Sequence, residues 1–161
     1  MIEPIANHTT TASTAGVTFS SIPGTYKHLL IIGNAKASSG NTDIGVQMNG
    51  DTGSNYNAHM LYGNSSGTNG SYRYTGTRAQ LTDWSYTDAT VFNLMHGTIH
   101  NYANTNLWKV INFKSSRGNT GGGNDIGHSY WRSTSAITSL YIFGTTGNIA
   151  TGCTFSLYGI I

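Results

Sequence analysis

Charge is scarce in this chain. Six acidic and eight basic residues in 161 make charged side chains 9% of the total, against roughly 25% in an average soluble domain. The net charge of +2 is too small to imply a nucleic-acid partner. The basic residues stand singly from Lys27 to Arg132, with no stripe or cluster. Cys153 is the one cysteine. It excludes an internal disulfide, and with it a stapled secreted scaffold, and reads as a small core residue. No apolar run approaches the ~18 residues that a membrane span needs. Met1 is followed by Glu3 and Pro4 rather than by a basic and then an apolar stretch, so no secretory leader is expected. Lysine, glutamate and alanine are all sparse, which argues against helices.

Gly, Ser, Thr and Asn take their place. Hydrophobic residues still reach 37% and aromatic residues 11%, too many for a disordered chain. High Thr, Tyr and Gly predict an all-β domain with many turns. A chain of 161 residues suits one domain with room for a real core.

The most continuous apolar run is His28-Leu29-Leu30-Ile31-Ile32, bracketed by Gly24 and Gly33. It is too short for an ordinary helix. It reads as a central strand covered on both faces, around which more polar strands pair. Ile22-Pro23-Gly24 ahead of it is a turn, because Pro presets φ and Gly tolerates positive φ. Val17 and Phe19 alternate with Thr18 and Ser20, and Ile44, Val46 and Met48 share one side of another strand. Residues 91–102 and 107–115 read as a long hairpin, and 137–143 alternates again. The last strand places Cys153, Phe155, Leu157 and Ile161 on one face. Strands are also expected near 59–62 and 72–76, with a mobile loop between them at 63–70. Further loops are expected at 35–42, 82–90 and 117–127. Residues 1–14 read as an N-terminal arm or an edge strand. About eight to ten short strands with glycine-rich turns indicate a single antiparallel β-sandwich or jelly roll over 1–161, with long Gly/Asn/Ser-rich loops.

The stretch Asn49-Gly50-Asp51-Thr52-Gly53-Ser54-Asn55-Tyr56 begins with the strongest short hairpin signal. Its Asp, Thr, Ser and Asn side chains can fold back onto backbone amides. Asn49, Asp51 and Asn55 offer oxygens to a calcium ion, but only one is a carboxylate, and an EF-hand loop uses several. The reading is a structural turn, and no metal or cofactor is expected.

Three blocks together resemble a domain common in virion structural proteins of tailed bacteriophages. The first is Gly16-Val17-Thr18-Phe19-Ser20-Ser21-Ile22-Pro23 with Thr25-Tyr26-Lys27-His28-Leu29. The second is Asn49 through Tyr56. The third is Ala136-Ile137-Thr138-Ser139-Leu140-Tyr141-Ile142-Phe143 with Gly152-Cys153-Thr154-Phe155-Ser156-Leu157-Tyr158-Gly159-Ile160. The resemblance implies a β-sandwich in a virus particle, often trimeric, assembled in the host cytoplasm. The domain opens almost at Met1 and closes within its last strand, so no fibre shaft is expected. A self-contained module suits a capsid decoration (cement) protein, with itself as a homotrimer and the major capsid protein as partners. Ile2, Ile5 and Asn7 are then the candidate capsid or neighbour contacts, by strand addition or exchange.

The alternative is a tail-fibre or tail-tip module for host surface polysaccharide. Tyr62, Tyr72, Tyr74, Trp84, Tyr86 and Trp131 would supply flat faces for sugar rings. The favoured account is that the same aromatics fill the core or a subunit interface, since an aromatic carries a large burial term without any ligand. Catalysis is not expected. Glycan cleavage normally needs two flanking carboxylates, and Asp83 with Asp88 is the least poor pair. His96 and His100 would share a strand face about 13 Å apart, too far for one zinc ion. No nucleophile elbow, phosphate loop or Cys–His pair is present.

Overall fold

Strands alternate their side chains between two faces, and burial in this chain follows that period almost throughout. The computed structural model describes residues 1–82, 87–118 and 121–161. Among them there are strands and turns but no helix. In order come β1 (Ile2–Thr9), β2 (Gly16–Phe19), β3 (His28–Ala35), β4 (Asn41–Thr42) and β5 (Ile44–Met48). Then follow β6 (Tyr56–Asn64), β7 (Asn69–Gly76), β8 (Ala79–Gln80), β9 (Thr87–Asp88) and β10 (Asn93–His100). The chain ends with β11 (Lys109–Arg117), β12 (Gly123–Trp131), β13 (Leu140–Gly144) and β14 (Thr154–Ile160).

These strands make an antiparallel β-sandwich. The large sheet has eight strands in the order β1-β14-β3-β10-β11-β12-β6-β7, and the small one has four, β2-β13-β5-β8. β4 and β9 form a separate pair. One core lies between the two main sheets. Ile31, Met95, Ile99, Ile111 and Phe155 enter it from the large sheet, and Val17, Val46, Met48, Leu140 and Ile142 from the small one. Gly97 leaves room for this packing. A Cβ there would meet Leu81 Cδ2 at 2.8 Å and Ile111 Cδ1 at 2.7 Å.

The run around Leu29 is interior to the large sheet, between β14 and β10. It is covered on one face only, contrary to the sequence expectation. Leu29 and Ile31 are fully buried, Leu30 is half-buried and Ile32 is 40% exposed. The run looked doubly covered because its outward side chains are apolar too.

Asn49 and Gly50 both adopt positive φ, 53° and 69°. The Asp51 N–H closes the turn onto Met48 O at 3.0 Å, the signature of a type I′ turn. The strands on either side nevertheless do not pair. β5 lies between β13 and β8, and β6 lies between β12 and β7. The turn carries the chain from one sheet to the other and is not a hairpin.

Three further expectations need correction. The loop expected at 63–70 shrinks to 65–68, since β6 runs to Asn64 and β7 starts at Asn69, and the two close tightly on an Asn64 side chain that accepts from Ser66 N at 3.1 Å and Thr68 N at 3.0 Å. Residues 117–127 are not one loop, because β12 already begins at Gly123. Ile161 is exposed, one residue past the end of β14. The N-terminal residues form an edge strand rather than an arm, paired to β14 from Ile2 to Thr9. Cys153 is a buried core residue, its Sγ accepting from Lys36 N at 3.3 Å.

The three sequence blocks meet at one corner. Ile22 N–H donates to Thr138 O at 3.0 Å. Asn49 Oδ1 accepts from Thr138 N at 2.8 Å and Ser139 N at 3.1 Å, and Asn49 Nδ2 donates to Ala136 O at 2.8 Å. Residues far apart in the chain thus build one joint of the scaffold. These residues hold the two sheets of the sandwich together at this corner.

Candidate interaction surface

The inner face of the large sheet is spent on the core. Its outer face is covered by nothing among the described residues. The register sets its side chains in rows across the strands. One row runs Ile160, His28, His100, Val110, Tyr130, Asn57. The next runs Tyr158, Leu30, Thr98, Asn112, His128, His59. A third runs Ser156, Ile32, His96, Lys114, Ile126, Leu61.

β12 is the informative strand. Its small and polar residues Asp125 and Ser129 point inward and are buried, while Ile126, His128 and Tyr130 point outward. Asp125 accepts from Ser115 Oγ at 3.1 Å, and Ser129 Oγ accepts from Gln80 N of the small sheet at 3.0 Å. The usual amphipathic order is therefore inverted. Ile126 is 56% exposed, and Leu61, directly opposite on β6, is 61% exposed. Single exposed apolar residues are ordinary, but an inverted strand with an apolar partner beside it makes this face the candidate contact surface.

Five of the six histidines lie on this face: His28, His59, His96, His100 and His128. Two pairs are in ring contact, His28 with His100 at 5.0 Å and His59 with His128 at 5.6 Å. His28 Nδ1 accepts from Asn101 N at 3.1 Å, which leaves Nε2 to carry the proton of the neutral ring. Burial, then His100 and Lys27, holds the His28 imidazole below its ordinary range. Burial and His59 do the same to His128. His96 and His100 share the outer face as expected, and no group of three or more His, Cys, Asp or Glu that could hold a metal occurs among the described residues.

At one end of the rows Trp108, Tyr130, His59, Asn57 and Arg132 line a groove of about 370 Å³. Trp108 is 57% exposed. The loop that presents it is held by Lys109, whose buried Nζ donates to Asn104 O at 2.6 Å, Leu107 O at 2.7 Å and Thr134 O at 3.1 Å. Burial pulls the Lys109 pKa down.

The aromatics singled out from the sequence lie elsewhere. Trp131 is buried, stacked on Tyr56 at 6.4 Å, with Nε1 donating to Asp51 Oδ2 at 2.6 Å. It presents no face to a ligand. Tyr74 lies under the Arg78 guanidinium at 4.6 Å and its Oη accepts from Arg78 Nη1 at 3.0 Å. Tyr62 and Tyr72 are on strands, as expected, and point to the inner side of the sheet, where Tyr72 stays exposed. Trp84 and Tyr86, with Asp83, lie outside the described residues. Asp88 is buried and caps Thr90 N at 2.8 Å and Val91 N at 3.2 Å.

Of the candidate neighbour contacts, Ile2 is exposed on β1, Ile5 packs against the core, and Asn7 donates to Ser156 Oγ at 2.7 Å. Pro4 and a register shift between Pro4 and Ala6 interrupt the free edge of β1. Both features oppose addition of another strand there.

Asp51 fills its bonding capacity within the turn, accepting also from Gly53 N at 2.8 Å and Asn55 Nδ2 at 2.9 Å. Burial alone would raise its pKa, but the bonds from Trp131, Asn55 and Gly53 together hold it below the usual carboxylate range. No protein-family model matches the chain, and no curated protein matches it either.

Proposed function

We propose that this chain is a structural protein of a tailed-bacteriophage particle that decorates the assembled head and does no chemistry. In this reading the outer face of the large sheet docks on the major capsid protein, and copies close as a homotrimer. The phage assignment rests on the three ordered sequence blocks. The docking surface rests on the inverted strand β12, which sets Ile126 beside Leu61 outside while Asp125 and Ser129 are buried. A protein that binds the assembled shell and not its loose subunits stabilises the shell by mass action.

The test is occupancy on purified particles. The chain is expected in many copies, in fixed ratio to the major capsid protein. Leu61→Asp with Ile126→Asp is expected to strip it from the particle while the free protein keeps its fold, because both side chains face solvent. A few copies per particle, or unchanged occupancy of the double variant, contradicts the proposal.

A further inference from the structure

We infer that the groove between Trp108 and Arg132 is a saccharide subsite that takes a pyranose bearing a carboxylate, a uronic acid residue of a polysaccharide. Trp108 carries the argument. Its indole is mostly exposed and makes no hydrogen bond among the described residues. An aromatic face of this size in water is a large contact area left unused. It is also held in place, since the buried Lys109 ammonium ties down Asn104 O and Leu107 O on the same loop. A rigid platform loses little freedom when a ligand stacks on it.

The other lining groups fit the rim of a sugar. Tyr130 stands across the groove with its ring edge against His128 at 5.0 Å. Asn57 donates through Nδ2 to Thr75 Oγ1 at 3.1 Å, which fixes its amide at the groove wall. His59 adds a ring nitrogen. The volume of about 370 Å³ lies at the small end of ligand sites. Arg132 is the one formally charged residue among the described residues lining the groove, and no carboxylate lines it. One guanidinium nitrogen bonds Ser54 O, which orients the fork and leaves other donors free. That fork matches a carboxylate in two-point fashion and a hydroxyl only singly. Charge therefore selects an acidic over a neutral ring. This site is separate from Leu61 and Ile126 and does not rest on the head-decoration reading.

The experiment is a titration of the full chain with trigalacturonate and with maltotriose, followed by tryptophan fluorescence and amide NMR shifts. Saturable binding of trigalacturonate, tighter than that of maltotriose, is expected. Trp108→Ala should weaken it about fivefold or more at an unchanged urea midpoint. Arg132→Met should abolish the preference for the acidic sugar. The Leu61→Asp, Ile126→Asp protein should bind as the parent does, which separates this site from particle docking. No saturable response to either sugar, equal affinity for both, or binding indifferent to Trp108→Ala would overturn the inference. So would a Trp108-dependent signal that follows protein concentration alone, which would mean that a second copy covers the groove.

Discussion

Replacing Asp51 by alanine should unfasten the joint between the two sheets. The carboxylate accepts from Gly53 N at 2.8 Å, Asn55 Nδ2 at 2.9 Å and Trp131 Nε1 at 2.6 Å. Its backbone carbonyl accepts from Tyr56 Oη at 3.1 Å, and Tyr56 Oη in turn accepts from Met48 N at 3.0 Å. The substitution leaves the buried Trp131 N–H without a partner, at about 1–3 kcal/mol. The two turn bonds are more exposed and add about 1 kcal/mol together. A total of about 2–4 kcal/mol corresponds to a fall in Tm of roughly 5–15 °C for a chain of this size. Asp51→Asn keeps one acceptor oxygen and should lose about half as much. The assay is thermal and urea unfolding followed by near-UV circular dichroism, which reports Trp131 directly. The sign with pH is fixed as well. The folded pKa lies below the unfolded one, so the contribution of Asp51 is complete above the usual carboxylate range and lost as pH falls through the folded value. A Tm within about 1 °C of the parent for Asp51→Ala would refute the reasoning.

Two other predictions follow from the same geometry. Ile31→Ala should cost about 2–5 kcal/mol, whereas Ile32→Ala, on the exposed face, should cost less than about 1 kcal/mol; equal losses in urea unfolding would restore the doubly covered strand. His28 and His128 have folded pKa values below the unfolded value, so the unfolded chain binds more protons and stability should fall as pH drops below about 7. Burial, the larger cause, stays in place, so His100→Gln and His59→Gln should reduce that dependence only in part in urea midpoints measured between pH 8 and pH 5, and a slope unchanged in both variants would remove the imidazole pairs as contributors.

What was legible in the sequence was whatever faces a single dry core. Val17 and Phe19, Ile44, Val46 and Met48, and Phe155 and Leu157 alternate visibly because the residues between them meet water or small neighbours. The first half of β12, residues 123–127, reads from the sequence as part of a glycine-rich loop because the strand's pattern runs the other way. Asp125 and Ser129 go inward to meet Ser115 and Gln80, and the inward position between them is glycine because a Cβ there would meet Met60 Cβ at 2.7 Å. Missing that strand hid Ile126, His128 and Tyr130 as surface residues. Trp108 and Trp131 show the same limit for aromatics. Pattern alone names Trp131 as a ligand or core aromatic and passes over Trp108; the first faces the core with its N–H on Asp51, and the second stands exposed on a loop that Lys109 ties down. Asn49-Gly50 marks a tight turn, but a turn of type I′ does not say which sheet receives the next strand, so the hairpin reading fails.

The central claim is that the outer face of the eight-stranded sheet is the working surface of this protein. An electron-microscopy map of the intact particle, resolved to side chains with this chain in place, tests it most directly. The account predicts Ile32, Leu61 and Ile126 covered by a neighbouring subunit while the small sheet, with Tyr141 and Phe143, faces outward. A map with that outer face bare to solvent, and the small sheet making the contact, would contradict it.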